Sequence, residues 1–463
     1  MNQKKAGSQG NLIAIIAMFF LFAMISFVTN LAAPIGTIWG YKFEGSGVLG
    51  MMGNMMNFLA YLIMGIPAGK LLTKIGYKKT ALWAMAIGFI GLFVQWISSL
   101  ESLSAVNAFE TTSTIEEGGV EVVKTLAVPM SFVVYLLGAF ICGFCVCMLN
   151  TVVNPMLNLL GGGGNKGNQL IQAGGSLNSL SATLTPFFVG MLIGQLAPET
   201  TMQAVSPLLW VAMGVFAASF VIISFVSIPE PNINKGGKKV KYEHSPWNFR
   251  HLVLGVIGIF FYVGIEVGIP GTLNFYLSDQ SSRGAELIGN ASVIAGSIVA
   301  IYWLLMLVGR FLSTIISGSV STRAQIITVT SVGIILVIAA ILTPKTVTMA
   351  VPEFIAENAQ VPVSAFLLVL CGLCTSVMWG GIFNLAVEGL GKYTAQASGI
   401  FMMMVVGGGV MPLIQNWIAD IAGYMPSYWL VVAMLAYLLF YGVSGSKNVN
   451  TDIPVDDEVV DAI

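Results

Sequence analysis

Glu266 stands inside the apolar stretch Phe260-Phe261-Tyr262-Val263-Gly264-Ile265-Glu266-Val267-Gly268-Ile269-Pro270-Gly271. A carboxylate at bilayer depth costs about 2.5–3.5 kcal/mol on insertion scales, and chains that keep one use it for a cation, a proton or a polar solute. As a proton carrier Glu266 would alternate between charged and neutral forms. As a sodium ligand it would stay ionised and be joined by hard oxygens. Gly268, Pro270 and Gly271 suggest freed carbonyls for that purpose, because proline removes one helical hydrogen bond. The structural alternative is a buried carboxylate bonded to a neighbouring Asn or Tyr. Arg310 is the other charge within an apolar run; a snorkelling arginine is its plain alternative to a gating role. The only histidines are His244 and His251, and no nucleophile triad, metal cluster or nucleotide loop is present, so nothing points to an enzyme. Gly161–Gly164 lack the flanking strand and Gly-Lys-Ser/Thr of a phosphate loop. Cys142-x-x-Cys145 lies in an apolar helix without a nearby histidine and reads as small packing residues, as do Cys147, Cys371 and Cys374.

The elements that must hold these residues are membrane helices. The 463 residues are 56% hydrophobic and 9% charged, against about 25% charged in soluble domains, and the mean hydropathy is +0.86. Twelve apolar runs recur, at 12–34, 46–72, 79–99, 129–157, 169–195, 205–228, 250–277, 288–317, 324–343, 362–388, 394–422 and 426–444. Each matches the roughly 20 residues that cross about 30 Å of hydrocarbon. Strand-like alternation is absent, which predicts an all-α bundle and not a barrel. The first run is too long for a signal-peptide core and reads as retained. With the N-terminus inside, fifteen Lys/Arg fall on the inner side and four on the outer. That bias predicts an inner-membrane, multi-pass chain with both termini cytoplasmic. The net charge of −1 and the lack of a basic arm speak against a nucleic-acid partner.

A polar, basic segment at 229–249 divides the chain into a six-helix bundle at 1–228 and another at 250–444, followed by a cytoplasmic tail at 445–463. The tail ends near Asp456-Asp457-Glu458 and reads as disordered. The outer segment from Leu100 to Leu126, with Glu110, Glu116, Glu117 and Glu121, reads as a solvated loop. The halves repeat weakly. Asn30 precedes Pro34 by four, as Glu266 precedes Pro270. Asn150-Thr151-Val152-Val153-Asn154 matches Asn384-Leu385-Ala386-Val387-Glu388, Gly69-Lys70 matches Gly309-Arg310, and Pro186 matches Pro412. Four matches in one order argue for duplicated halves, the mark of secondary transporters with a midplane site between them.

Twelve spans, the 6+6 repeat and the basic central segment resemble the major facilitator superfamily. Gly65-Ile66-Pro67-Ala68-Gly69-Lys70-Leu71-Leu72-Thr73-Lys74-Ile75-Gly76-Tyr77-Lys78-Lys79 is similar to its signature between spans 2 and 3. The Pro-Ala-Gly and Gly-Tyr-Lys-Lys form resembles the fucose/galactose/glucose–cation symporter branch. Asn154-Pro155, Tyr262-Val263-Gly264 with Glu266, Gly309-Arg310-Phe311, Glu388-Gly389-Leu390-Gly391 and Gly407-Gly408-Gly409 before Pro412 agree with it.

The resemblance implies that spans 1, 4, 7 and 10 line the cavity of a major facilitator fold, two pseudo-symmetric six-helix bundles. Their polar residues Asn30, Asn150, Asn154, Glu266, Asn274, Trp379 and Asn384 would then bind substrate. Amides donate to and accept from hydroxyl groups, and an aromatic face suits the apolar side of a sugar ring. Asn54, Asn57, Gln169, Gln172 and Asn178 could add to the site; an interhelical hydrogen bond is the alternative for each amide. The fucose–proton symporter of this branch carries an aspartate and a glutamate where this chain has Asn30 and Asn150, so its proton scheme does not transfer. Glu266 remains as the coupling carboxylate. Arg310, matched to Lys70, is expected near the inner end of span 8, where it and Glu388, or it and the inner loops, would form a cytoplasmic gate. The expectation is a monomeric carrier importing a hexose-like sugar with H+ or Na+ and needing no cofactor. Uniport, transport of another polar solute such as a nucleoside or cell-wall fragment, and a non-transporting sensor stay open.

Overall fold

The computed structural model describes residues 2–43, 47–117, 120–193, 199–230, 238–240, 243–287, 291–351, 359–455 and 459–461. The first half folds as α1 (Asn2–Lys42), α2 (Gly47–Ile75), α3 (Tyr77–Ile97), the short α4 (Glu101–Ser104), α5 (Met130–Leu160), α6 (Gly164–Ile193) and α7 (Ser206–Phe225). The second half folds as α8 (Arg250–Ser278), α9 (Ala291–Ile316), α10 (Thr322–Leu342), α11 (Val363–Thr375), α12 (Met378–Ala386), α13 (Thr394–Met403), α14 (Gly407–Ala422) and α15 (Tyr424–Phe440). Among the described residues, eleven helical stretches are long and apolar enough to cross a membrane. The fifth expected span, α6, is 30 residues long but carries Gln169, Gln172, Ser176, Asn178, Ser179 and Ser181, which dilute its apolar character.

Two expected spans are each built from two helices. Span 10 is α11 followed by α12, with the break at Ser376 and Val377. There the hydroxyls of Thr375 and Ser376 bond back to the carbonyls of Cys371 and Leu373, a local competition with the helical ladder. Span 11 is α13 and α14, joined by a tight turn at Met404–Val406 just before the glycines Gly407–Gly409. Prolines 67, 155, 270 and 412 sit within helices, which membrane bundles tolerate where neighbours satisfy the freed groups.

In the first half α2 and α3 pack on α5, and α1 packs on α6. In the second half α8 packs on α14, α9 on α11, and α10 on α15. Large apolar side chains such as Trp83, Phe225, Leu342 and Trp417 are exposed on the outside of the bundle, as a lipid-facing surface requires. The two halves meet along α2 with α13 and along α6 with α9. Small residues make the first of these contacts possible. A Cβ on Gly65 would fall 2.6 Å from the Met403 backbone, and one on Gly69 would fall 3.0 Å from Gly399 Cα. Close backbone approach through glycine is the usual way membrane helices associate.

One face of the bundle carries the α2–α3, α5–α6, α9–α10 and α12–α13 connections together with Lys70, Lys74, Lys78, Lys79 and Lys166. The halves are sewn together toward this basic face. Asn158 Nδ2 donates to Asn384 Oδ1 at 2.6 Å, and Gln172 Nε2 donates to the Val377 carbonyl at 2.8 Å. Gln169 Nε2 reaches the Thr314 carbonyl at 3.1 Å, and Asn168 Nδ2 reaches Ser317 Oγ at 3.3 Å.

Two expectations are corrected. The outer segment is not an open loop: β1 (Asn107–Glu117) and β2 (Val120–Pro129) pair as an antiparallel hairpin. Its β-branched runs on either side of Gly118-Gly119 are a hairpin signal. The tail is not free of structure. Arg323 donates to Ser446, the Lys392 amide donates to the Val455 carbonyl at 3.0 Å, and β6 (Val459–Asp461) pairs with β3 (Lys238–Val240). Backbone groups that found partners replaced the solvated tail expected from composition. Asp456-Asp457-Glu458 lie outside the described residues.

Candidate functional site

Glu266 lies near the middle of α8 and its side chain retains 14% exposure. Arg310 on α9, 10% exposed at its side chain, places Nη2 at 3.1 Å from Glu266 Oε1. At this separation the attraction is about 5 kcal/mol at an effective dielectric constant near 20. Desolvation costs several kcal/mol per ion, so the pair roughly breaks even for stability and is costly to break. The other arm of the fork crosses to the first half. Arg310 Nη1 donates to Ser179 Oγ at 2.8 Å and to the Gly175 carbonyl at 3.3 Å, both on α6. A planar guanidinium fixed by a carboxylate on one nitrogen has little freedom in where the other points.

The backbone around Glu266 explains part of this order. Pro270 cannot donate to the Glu266 carbonyl, and Tyr302 Oη on α9 approaches that oxygen at 3.4 Å while also lying 3.0 Å from Thr375 Oγ1. α8 nevertheless runs unbroken through Gly268, Pro270 and Gly271. The backbone opening expected for a sodium site is therefore not formed. Among the described residues no group of three or more His, Cys, Asp or Glu could hold a metal ion. A cation at Glu266 would rely on that carboxylate and on neutral oxygens.

A polar chain extends from this pair across the interface. Tyr262, one turn before Glu266, has a buried hydroxyl beside the ion pair that makes no hydrogen bond of good geometry. Its ring meets the Trp379 ring edge-on, with centroids 6.3 Å apart. Trp379 Nε1 on α12 donates to Asn154 Oδ1 on α5 at 3.1 Å. Asn154 Nδ2 donates to the Asn150 carbonyl at 2.9 Å, and Asn150 Nδ2 donates to Tyr61 Oη on α2 at 2.7 Å. Tyr61, Asn150, Asn154, Trp379, Tyr262, Glu266, Arg310 and Ser179 thus form one sequence of contacts that crosses between the halves twice.

Other expected residues fall elsewhere. Asn30 is half-buried and bonds within its own helix, to the Ser26 carbonyl at 2.8 Å. Asn274, about two turns beyond Glu266, is half-buried and hydrogen-bonds to none of the described residues. Asn384 is 3% exposed. It accepts from Asn158 and donates to Thr322 Oγ1 at 3.0 Å, so it belongs to the closed basic face. Gln169 and Gln172 also serve that closure. Asn178 donates to the Phe22 carbonyl.

The expected Arg310–Glu388 pair is not formed. Glu388 is exposed beyond the end of α12, and its backbone carbonyl lies 2.9 Å from His251 Nε2. Arg310 is 8% exposed and occupied by Glu266 and Ser179. Its repeat partner Lys70 is exposed, so the sequence correspondence does not carry over to environment. Sequence reasoning missed Tyr61, Tyr262 and Ser179. Polar residues one turn from Asn57, one turn from Glu266 and next to Asn178 were the signals available.

A family model described as Major Facilitator Superfamily matches residues 13–411. A glucose/galactose transporter of Brucella abortus biovar 1 (strain 9-941) is 28% identical over 445 residues, covering 94% of both chains. The L-fucose-proton symporter of Escherichia coli (strain K12) is 20% identical over 453 residues, covering 92% of this chain and 90% of that one. A crystal structure of the E. coli fucose:proton symporter superposes with a TM-score of 0.71 at 16% identity, over 94% of this chain and all of that one.

Proposed function

Because the chain belongs to the Major Facilitator Superfamily, we propose that it imports a hexose-like sugar together with a cation, by alternating access between its two halves. The observation that carries this reading is the polar chain of amides, indole and one ion pair at the junction of the halves. The relatives over nearly the full length are named as sugar transporters, which supports the same substrate class.

Asn150, Asn154 and Trp379 supply donors, acceptors and an aromatic face for a ring bearing hydroxyl groups. Asn30 on α1 and Asn274 on α8 stand outside this chain of contacts. Glu266 is the coupling carboxylate, because it is acidic, midspan and still reachable at 14% exposure. The proton or sodium ion then competes with Arg310 for the same oxygens. The lysine-rich face is cytoplasmic by the charge bias. Both termini then lie in the cytoplasm, the bilayer is the inner membrane, and the closed basic face means that this state is not open to the cytoplasm. The carrier works as a monomer.

One observation favours a second reading. Arg310 already neutralises Glu266, and Asn30 and Asn150 carry no charge, so the chain would also serve as a uniporter. Purified protein in liposomes, given radiolabelled glucose, galactose and fucose with and without imposed proton and sodium gradients, separates these readings. Accumulation above equilibrium under one gradient is expected. Equilibration without accumulation means uniport. Binding without uptake means a sensor, and no response to any sugar sinks the substrate class.

A further inference from the structure

Arg310 is the residue of the polar chain that carries a charge across the junction of the halves. One nitrogen holds Glu266 of its own half, and the other holds α6 of the opposite half through Ser179 Oγ and the Gly175 carbonyl. We infer that Arg310 is the latch of the basic-face gate, that Ser179 is its catch, and that the state of Glu266 decides whether the latch is set.

The geometry gives the reason. α6 and α9 also touch nearer the basic face, through Ser176 with Thr314 at 3.3 Å, Gln169 with the Thr314 carbonyl and Asn168 with Ser317. All of these are neutral bonds made by short or flexible side chains. Arg310 adds a charged contact between the halves, through Ser179 and Gly175. It is the deepest contact along this pair of helices, and it is buried. A charged donor makes stronger hydrogen bonds than a neutral one. With Nη2 held by the Glu266 carboxylate, the rigid planar fork presents Nη1 to Ser179. When a cation, a proton or a substrate hydroxyl takes the Glu266 oxygens, Nη2 loses its anchor and Nη1 its aim. The two acceptors on α6 are then released, and the neutral bonds beyond them are left to part. Groups that could interfere are few. Tyr262 stands on α8, Tyr302 on α9 and Cys371 on α11, and the facing residues of α6 are neutral. Ser179 acts through Arg310 and is a positioning residue.

The inference rests on the reading of Glu266 as the coupling carboxylate, and its test is separable from that reading. Thr314→Cys places a thiol in the α6–α9 contact, and the five native cysteines are buried. The full-length protein in liposomes is exposed to an impermeant maleimide on the basic face. Slow labelling is expected for Thr314→Cys alone. Adding Ser179→Ala should speed it roughly tenfold or more, the effect of losing one hydrogen bond to a charged group. Ser179→Thr, which keeps the hydroxyl, should restore slow labelling, an outcome that a loss of packing alone would not give. Adding Glu266→Gln should speed labelling as Ser179→Ala does, and the two together should go no faster than either. Unchanged labelling in Ser179→Ala, or two effects that simply multiply, overturns the latch. Sugar uptake is read in the same liposomes. A protein that shows the labelling pattern but takes up no sugar keeps the latch and loses the transport reading.

Discussion

Glu266 and Arg310 meet at 3.1 Å in the middle of the bundle, each almost enclosed. Removing one partner leaves the other charge buried and alone. Arg310→Met should therefore lower stability by about 3–5 kcal/mol, and Glu266→Gln by a similar amount. The double variant should regain most of that loss, because no unpaired charge remains. Thermal unfolding of the four proteins in detergent gives the comparison. A double variant as unstable as the sum of the singles would show that the two side chains are not coupled.

Trp379 reaches across the halves to Asn154 through its indole N–H. Trp379→Phe keeps a ring beside Tyr262 but leaves Asn154 Oδ1 without that donor, a loss of about 1–2 kcal/mol. The sugar KM should rise roughly tenfold, with the maximal rate within about twofold. An unchanged KM would remove Trp379 and Asn154 from the binding site.

Gly399 on α13 lies against Gly65 and Gly69 of α2, with a Cβ at Gly399 falling 2.7 Å from the Gly69 nitrogen. Gly399→Leu should force these helices apart at a cost of about 1–3 kcal/mol, depopulating the closed basic face. Spin labels at the exposed positions Lys74 and Arg250 report this as a shift toward longer distances. An unchanged distance distribution would show that the glycine contact does not hold the closure.

Glu230 lies outside the spans and accepts hydrogen bonds from the backbone amides of Tyr77 at 2.8 Å and Lys78 at 2.9 Å, at the start of α3. Burial pushes its carboxyl above the ordinary value of 4.5, against the opposing pull of those amides and of Lys78 and Lys79. A raised folded-state value means that proton binding favours the folded chain at low pH. That contribution is complete below 4.5 and is lost as pH rises through the raised folded value. The melting temperature of wild type relative to Glu230→Gln should therefore fall as pH is raised from 4 toward neutrality. A difference independent of pH would place the Glu230 carboxyl at its ordinary value.

Much of the architecture was legible because hydrocarbon imposes a strict length and composition on every span. Eleven of the twelve expected runs reappear as long apolar helical stretches, and α6 as a long helix with more polar residues. What escaped depends on rotation and register between helices. Glu266 and Arg310 are 44 residues apart, and their meeting follows from how α8 and α9 turn toward each other. The repeat pointed Arg310 toward Lys70's surroundings, but burial on α9 sent it to Glu266 and Ser179 instead. Asn384 read as a cavity residue, yet its bonds to Asn158 and Thr322 make it part of the closure. The hairpin at β1 and β2 was hidden by its acidic residues, although its β-branched runs pointed the other way.

Gradient-driven accumulation set against exchange, measured for wild type and Glu266→Gln in liposomes, tests the central claim most directly. Wild type should concentrate labelled sugar under an inward proton or sodium gradient and should also exchange sugar across the membrane without one. Glu266→Gln should lose the accumulation, down to equilibration, while keeping the exchange. Accumulation by Glu266→Gln equal to that of wild type would contradict the assignment of Glu266 as the coupling carboxylate.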